Sequence, residues 1–130
     1  MSIQMSDLKF YICKVCGKII ALIRDGATPT ICCGQIMAEL VPNTVEGVEE
    51  KHIPVLEESK NCVKVTVGST EHPMSPEHYI KWIMLVTNKG LYTKKLESTG
   101  KPSAIFFLAK DEKPLGALAF CNIHMLWRTL

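Results

Sequence analysis

The stretch "CVKVTVG", residues 62–68, decides the fold class because apolar and polar side chains alternate along it. Its three valines fall on one face of an extended chain, and the lysine and threonine between them fall on the other. One face is therefore buried and the other faces water, as in a strand that covers a core. The same alternation places Cys62 on the polar face, as a half-exposed thiol without an assigned role.

Runs of similar length continue on both sides of this stretch, and turn residues separate them. They are "HIPVLEE" (52–58), "YIKWIMLVTN" (79–88), "LYTKKLES" (91–98), "AIFFLAK" (104–110) and "GALAFCNI" (116–123). The sequence shows no strong helical period. Six or seven short strands at this spacing predict an all-β protein whose main domain is a β-sandwich.

The composition limits both the size of the core and the classes of partner. The chain has 130 residues, 47% of them hydrophobic, which is enough for one modest core plus a small stapled module. Its net charge is +2 and it has no long basic run, so a nucleic-acid partner is not indicated. No apolar run approaches the roughly 18–20 residues of a membrane span, and the N-terminus has no signal-like leader. We therefore expect a cytoplasmic protein.

Four of the six cysteines lie near the N-terminus, in "CKVCG" and "CCGQ". A Cys-x-x-Cys turn brings two thiolates to one cation, and the glycine after each pair relieves crowding of the backbone. Four thiolates suit zinc or a single iron, and the spacing does not decide between them. The alternative is two disulfides, but a reducing compartment disfavours them, and the adjacent Cys32 and Cys33 cannot bridge each other without strain.

The segment around these cysteines has too little apolar surface to fold alone, so a metal would stabilise it. Pro42 and Asn43 mark a linker after it. We therefore predict a small domain over residues 1–38 and a β-sandwich domain over residues 39–130.

The four histidines form a second group of candidate ligands. His72 and His78 lie in "EHPMSPEHY", whose two prolines prevent a continuous helix or strand. His52 lies in "EEKHIP", and His124 follows Cys121 by three residues in "CNIHML". Each of these residues is placed at a loop or at the end of an expected strand.

Taken singly, each of these residues has an ordinary alternative: a surface histidine, a core histidine or a small core cysteine. Taken together, four imidazoles and one thiolate are five donors of a kind that ferrous iron accepts. Zinc in proteins prefers four ligands. Five donors around an octahedral metal leave one position open, which indicates redox chemistry on a small ligand.

These motifs resemble those of the desulfoferrodoxin family, the two-iron superoxide reductases, over nearly the whole chain. The "CxxC…CC" segment is similar to desulforedoxin, and "EKHxP", "HPM…EHYI.W" and "CNIH..W" are similar to the catalytic domain of superoxide reductase. One departure is Met125 with Leu126 after the last histidine, where many members have a glycine. The resemblance implies an immunoglobulin-like β-sandwich for the catalytic domain, and a homodimer.

The resemblance also implies roles for the candidate residues. A tetrahedral iron would be bound by Cys13, Cys16, Cys32 and Cys33, and the catalytic iron by His52, His72, His78, His124 and Cys121. Glu50 and Lys51 match the family's Glu-Lys pair in the mobile loop before the first histidine. Glu50 would take the sixth position of the oxidised iron, and Lys51 would lie near the open position of the reduced one.

The implied activity is the one-electron reduction of superoxide to hydrogen peroxide, as a defence against oxidative stress. The family resemblance suggests rubredoxin as the external donor that re-reduces the iron. Two other classes of function fit part of the sequence. A non-enzymatic adaptor, built from a zinc ribbon and a β-sandwich, would explain the four early cysteines equally well. An electron carrier would use the four-cysteine iron, with the histidine site secondary.

Overall fold

The computed structural model describes residues 5–129, and its contacts group Ser6–Val41 into one compact unit and the residues from Pro42 onward, together with Met5, into another. The smaller unit, Ser6–Val41, holds five short strands. They are β1 (Lys9–Ile12), β2 (Ile19–Leu22), β3 (Ile31–Cys32), β4 (Gln35–Ile36) and β5 (Ala38–Leu40). A 3-10 turn covers Met5–Asp7.

Strand pairing in the smaller unit makes one antiparallel sheet of order β2-β1-β5 and a separate β3-β4 hairpin. Few of its hydrophobic side chains are buried: Phe10, Cys13, Met37 and Leu40. Such a core is small, as the sequence led us to expect. The domain boundary that we predicted, between residues 38 and 39, falls inside β5, which pairs with β1.

The larger unit follows Pro42 and contains one short helix and seven strands. They are α1 (Glu49–His52), β6 (Pro54–Ser59), β7 (Cys62–Val67), β8 (Ile80–Thr87), β9 (Leu91–Lys95), β10 (Ser103–Phe107), β11 (Pro114–Cys121) and β12 (Met125–Arg128). The all-β prediction is confirmed. Among the described residues, no helix has the length and apolarity needed to cross a membrane.

The seven strands form two antiparallel sheets, of order β10-β7-β6 and β12-β11-β8-β9. The first, second and fifth strands of the unit share one sheet, and the third, fourth, sixth and seventh share the other. This crossing order is the Greek-key arrangement of an immunoglobulin-like sandwich, as the family resemblance implied.

The stretch "CVKVTVG" supplies one wall of the core between the sheets. The three valines of β7 are at most 1% exposed. They belong to one buried cluster with Ile83 and Leu85 of β8 and Phe106 of β10. The side chain of Cys62 lies on the opposite face, partly exposed, with the Ser59 hydroxyl donating to its sulfur over 3.4 Å. The predicted alternation and the predicted place of Cys62 are both confirmed.

The segment before β6 differs from the prediction. We expected the strand to begin at His52, but Glu49–His52 forms one helical turn and β6 begins at Pro54. Backbone hydrogen bonds from Ile53 to Glu49 and from Lys51 to Val48 close this turn. Four residues are too few to produce a helical period in the sequence, which explains why the pattern did not predict it.

Candidate metal centres

One end of the sandwich collects all four histidines. Strand β6 begins there and β7 ends there, since Pro54 pairs with Val67, and Ile80 of β8 pairs with Cys121 of β11 at the same end. The helix α1, the β7–β8 loop and the β11–β12 turn therefore meet at this end. They carry His52, then His72 with His78, and then Cys121 with His124.

Backbone carbonyls orient two of the imidazole rings. Nδ1 of His52 lies 2.7 Å from the carbonyl oxygen of Val48, and Nδ1 of His72 lies 2.7 Å from that of Pro73. A carbonyl oxygen only accepts, so Nδ1 carries the proton in both rings and Nε2 keeps its lone pair. Both side chains are buried, at 3% and 2% exposure. In each ring Nδ1 is thus engaged by the backbone, and the Nε2 lone pair is left to bind a metal.

The prolines of "EHPMSPEHY" act as expected, because the loop turns tightly between its histidines. Ser75 and His78 form an isolated antiparallel bridge, with backbone N–H···O distances of 3.0 and 3.1 Å. This bridge brings His78 back beside His72, and their ring centroids are 4.6 Å apart.

The donor atoms converge on one point. The ligand atoms of His52, His72, His78 and Cys121 all lie within 4.8 Å of one another. His72 Nε2 is 3.5 Å from the Cys121 sulfur, and Nδ1 of His124 is 3.8 Å from the same atom. The His124 ring also lies close to two other rings, with centroid distances of 4.6 and 5.2 Å. The structure thus brings together all five predicted donors.

Two ring nitrogens show that a cation fits this cluster. Nε2 of His52 and Nε2 of His78 are buried and have no hydrogen-bond partner within the described residues. A buried lone pair without a partner costs about 1–3 kcal/mol. Since the neighbouring donors are imidazoles and a thiol rather than acids, a divalent metal is the group that would satisfy both nitrogens.

Burial sets the protonation of these donors. It lowers the pKa of His72 to about 4, and it is also the largest cause that lowers the pKa of His52 and of His78. The three rings are therefore neutral near pH 7, which is the form that binds a metal. Burial raises the pKa of the Cys121 thiol, although backbone hydrogen bonds from His124 and Ile123 act in the other direction. A bound cation would stabilise the thiolate.

The residues predicted to act at the open position lie on α1. The positive charge of Lys51 is among the causes that lower the pKa of His52 and of His78, so its field reaches the cluster. The Glu50 carboxylate is not among the converging donor atoms of the described residues. Glu50 instead lines an open cavity of about 340 Å³ with Glu49, Ile53, Val55 and Ser69.

The turn at residues 68–70 holds α1 in place. The Glu50 carbonyl accepts hydrogen bonds from the Thr70 backbone at 2.9 Å and from the Ser69 hydroxyl at 3.3 Å. Gly68 lies at φ +89°, and a Cβ on it would fall 2.3 Å from the Thr70 carbonyl oxygen and 2.8 Å from that of Glu50. Only glycine fits this close approach of two backbone segments.

Sequence reasoning missed two supporting residues, Asn122 and Trp127. The side chain of Asn122 accepts from the Tyr79 backbone at 2.9 Å and donates to the Glu77 carbonyl at 3.0 Å, which joins the β11–β12 turn to the histidine loop. The Trp127 indole stacks on His52. Both residues belong to the "CNIH..W" motif, so the sequence marked their positions, but the motif alone did not indicate what either side chain does.

The smaller unit carries the second cluster, in which the sulfur atoms of Cys13, Cys16, Cys32 and Cys33 all lie within 4.8 Å of one another. The sulfur of Cys32 is 3.7 Å from that of Cys16 and 3.9 Å from that of Cys33. All four cysteines are free thiols, and these distances match the roughly 3.8 Å edge of a tetrahedron with metal–sulfur bonds of about 2.3 Å. The donors therefore fit a tetrahedral metal ion.

The local backbone shapes this cluster. Gly17 and Gly34 have φ values of +81° and +74°, so the two glycines that follow the cysteine pairs adopt the left-handed conformation. A hydrogen bond from the Cys16 backbone is the largest cause that lowers the pKa of Cys13 to about 6. Hydrogen bonds with the neighbouring sulfurs, Cys16 first, raise the pKa of Cys33 to about 12. The four thiols cannot all ionise unless a cation offsets their charge.

Comparisons with known proteins agree with this description of two units. The family model described as desulfoferrodoxin matches residues 44–130, and that described as desulfoferrodoxin, N-terminal domain, matches residues 6–40. The chain is 41% identical to the desulfoferrodoxin of Syntrophotalea carbinolica over 92% of this chain and 94% of that one. It is 38% identical to the desulfoferrodoxin of Nitratidesulfovibrio vulgaris over 95% of this chain and 96% of that one.

Two solved structures are similar to this one. The superoxide reductase from Treponema pallidum has a TM-score of 0.81 and 36% identity, and the match covers 95% of this chain and 98% of that one. The superoxide reductase (1Fe-SOR) from Giardia intestinalis has a TM-score of 0.51 and 35% identity, over 62% of this chain and 95% of that one.

Proposed function

Because this chain belongs to the desulfoferrodoxin family, we propose that it is a superoxide reductase. One superoxide, one electron and two protons would give one hydrogen peroxide, with the electron drawn from an external donor. The observation that carries the proposal is the convergence of four imidazoles and a buried thiol at one end of the sandwich, with two ring nitrogens lacking any partner within the described residues.

We assign one iron to each cluster. The four sulfurs of the smaller unit would hold a tetrahedral iron, and His52, His72, His78, His124 and Cys121 would hold the catalytic one. A ferrous ion in the second cluster would supply the electron for superoxide. The chain's own part is to hold three of the rings neutral and to place the thiol of Cys121 among them.

Lys51 would attract the substrate, because superoxide is an anion and the lysine's charge already acts on two of the rings. The backbone carbonyl of Glu50 accepts two hydrogen bonds from the 68–70 turn, which ties the segment that carries Lys51 to the loop that carries His72. We propose that the Glu50 side chain enters the open position in the oxidised protein, as the family resemblance implies.

Replacement of Lys51 by alanine tests the proposed function and the steering together. We expect Lys51→Ala to react with superoxide more slowly, by about tenfold or less, and with a weaker dependence on ionic strength. The matched control is Lys60→Ala, which removes the same charge from the turn before β7, at the opposite end of the sandwich. Pulse radiolysis over a range of salt concentrations measures both quantities. Equal rates and salt slopes in the two variants would refute the role of Lys51.

The electron donor and the assembly are further proposals. We propose a rubredoxin-like donor and a homodimer, both on the family resemblance, and a reducing cytoplasm as the compartment. All six cysteines, each described by the structure, are free thiols, which supports the last point.

An electron carrier is the second candidate, because the side chains of Cys16 and Cys33 are exposed and a partner can approach their sulfur atoms. Metal analysis with a superoxide assay separates the candidates. Two irons per chain and donor-dependent turnover support the reductase, two irons without turnover support the carrier, and one zinc without iron supports an adaptor.

A further inference from the structure

Trp127 lies under the histidine cluster and is only 2% exposed. It belongs to β12 and pairs with Ala119 of β11, two residues before the strand reaches Cys121. The backbone of Trp127 is therefore held by the sheet and not by the segments that carry the histidines. A side chain on a regular strand is a means of orienting ligands on neighbouring segments.

The indole contacts His52 through its face. The two ring centroids are 4.8 Å apart and the planes are inclined by 23°, which is a stacked arrangement. The opposite constraint on His52 is the hydrogen bond of Nδ1 to the Val48 carbonyl. Stacking fixes the plane of the imidazole, and the hydrogen bond fixes its rotation within that plane. The two contacts together determine the direction of the Nε2 lone pair.

The edge of the same indole acts on His124. Nε1 of Trp127 donates to the His124 carbonyl oxygen over 2.8 Å. This bond closes the turn after β11, although Met125 inside it lies at φ +65°, a conformation that costs a non-glycine residue energy. One side chain thus acts on two of the five predicted ligands, which lie 72 positions apart in the sequence (52 and 124).

Gly47 shows how closely this arrangement is packed. A Cβ at this position would lie 3.1 Å from Cζ2 of Trp127 and 3.4 Å from Cδ2 of His124. The distance to Trp127 is tight and that to His124 is at the limit of ordinary contact, so an added methyl group would push the indole. The backbone of Gly47 has no positive φ, so alanine adds only this contact.

We propose that Trp127 is a positioning residue for the metal centre, which orients His52 by stacking and His124 through its N–H group. The inference rests on the metal centre of the proposed function but not on superoxide as its substrate. Supporting contacts of this kind are worth about 10–100-fold in metal affinity.

The test is Trp127→Phe in the full-length, metal-loaded protein. Phenylalanine keeps an aromatic face for His52 but loses the N–H group, and Trp82→Phe is the matched control because Trp82 stacks on Phe120 instead. Metal retained against graded chelator is measured, together with the thiolate-to-metal absorption of the histidine site, taken as the part of the oxidised spectrum that Cys121→Ser lacks. We expect Trp127→Phe to lose metal from the histidine site about 10–100-fold more readily and to shift the band, while Trp82→Phe matches wild type.

Gly47→Ala, with Gly90→Ala as control, provides a second route if Trp127→Phe does not fold. A Cβ at Gly90 meets open space. We expect Gly47→Ala to weaken metal retention and to move the absorption band, and we expect Gly90→Ala to change neither. The proposal would be overturned if a folded Trp127→Phe retained metal as wild type does and its absorption band did not move. If Trp127→Phe does not fold, the same result in Gly47→Ala would overturn it. A wild-type chain that binds metal but does not reduce superoxide would instead refute the proposed function and leave this inference standing.

Discussion

Backbone carbonyls, and not acidic side chains, decide which nitrogen of two histidines faces the cluster. His52 and His72 each give Nδ1 to a carbonyl oxygen one to four residues away, so the assignment is local. The sulfur of Cys121 receives backbone hydrogen bonds from Ile123 and His124 instead, and it lies 3.5 and 3.8 Å from two ring nitrogens. The single residue whose loss most changes the electronic character of the centre is therefore the cysteine.

Cys121→Ser should remove the part of the thiolate-to-metal charge-transfer absorption that comes from the histidine cluster, because serine offers no soft sulfur ligand, and should leave the part that comes from the four-cysteine cluster. Visible absorption spectra of the iron-loaded variant measure this. Cys62→Ser is the control, since that thiol lies on the outer face of β7 and should leave the band unchanged. An unchanged spectrum, with no difference between wild type and Cys121→Ser, would show that Cys121 does not bind the metal.

Met125 occupies a conformation that suits glycine, at φ +65°. We expect Met125→Gly to lie within about 1 kcal/mol of wild type, since relief of the backbone offsets the lost side-chain contacts. Met125→Val should unfold more easily than Met125→Gly by about 1–2 kcal/mol, because a β-branched side chain fits this region worst. Denaturant unfolding of the three proteins gives the order, and equal stability of the valine and glycine variants would contradict it.

At the level of elements, α1 is held by its neighbour rather than by its own propensity. Four residues make a marginal helix, and Val48 before it provides no side-chain cap. The 68–70 turn supplies the missing contacts through two hydrogen bonds to the Glu50 carbonyl. The loop that carries His72 and the helix that carries His52 are thereby coupled through protein contacts.

Gly68→Ala should break this coupling. A methyl group would meet only backbone atoms, at 2.3 and 2.8 Å, and the residue lies at φ +89°. We expect a loss of about 2 kcal/mol or more in the free energy of unfolding, with faster amide exchange at residues 50–53. Gly90→Ala is the control because its added Cβ meets nothing within 4 Å. If the two variants are equally stable, the close approach at Gly68 does not constrain α1.

At the level of the whole molecule, the histidine cluster lowers the free energy of unfolding of the metal-free protein at acidic pH. Burial holds the pKa of His72 at about 4 in the folded protein, against an ordinary value of 6.5. The pKa values of His52 and His78 are lowered in the same direction. Between the two values the unfolded chain binds a proton that the folded chain does not, so falling pH favours unfolding.

The metal-free protein should therefore lose stability as the pH falls from about 6.5 to about 4, and gain little above pH 7. Urea unfolding at a series of pH values measures the slope. A His72→Asn variant, if folded, should show a shallower slope over the same window. A stability that does not change across the window would mean that the rings are protonated or solvated in the metal-free fold.

The amino-acid sequence by itself was enough to predict the candidate donor set and the class of fold. Ligand types and the alternation of "CVKVTVG" are local properties, and each is readable without knowing what lies opposite. Only the tertiary structure decided how the helical turn at Glu49–His52 is held, how the three ligand-bearing segments meet, and that Trp127 stacks on His52. The physical reason is that these features depend on contacts between residues 17 to 75 positions apart, such as Gly68 against Lys51 of α1 and Trp127 of β12 against His52.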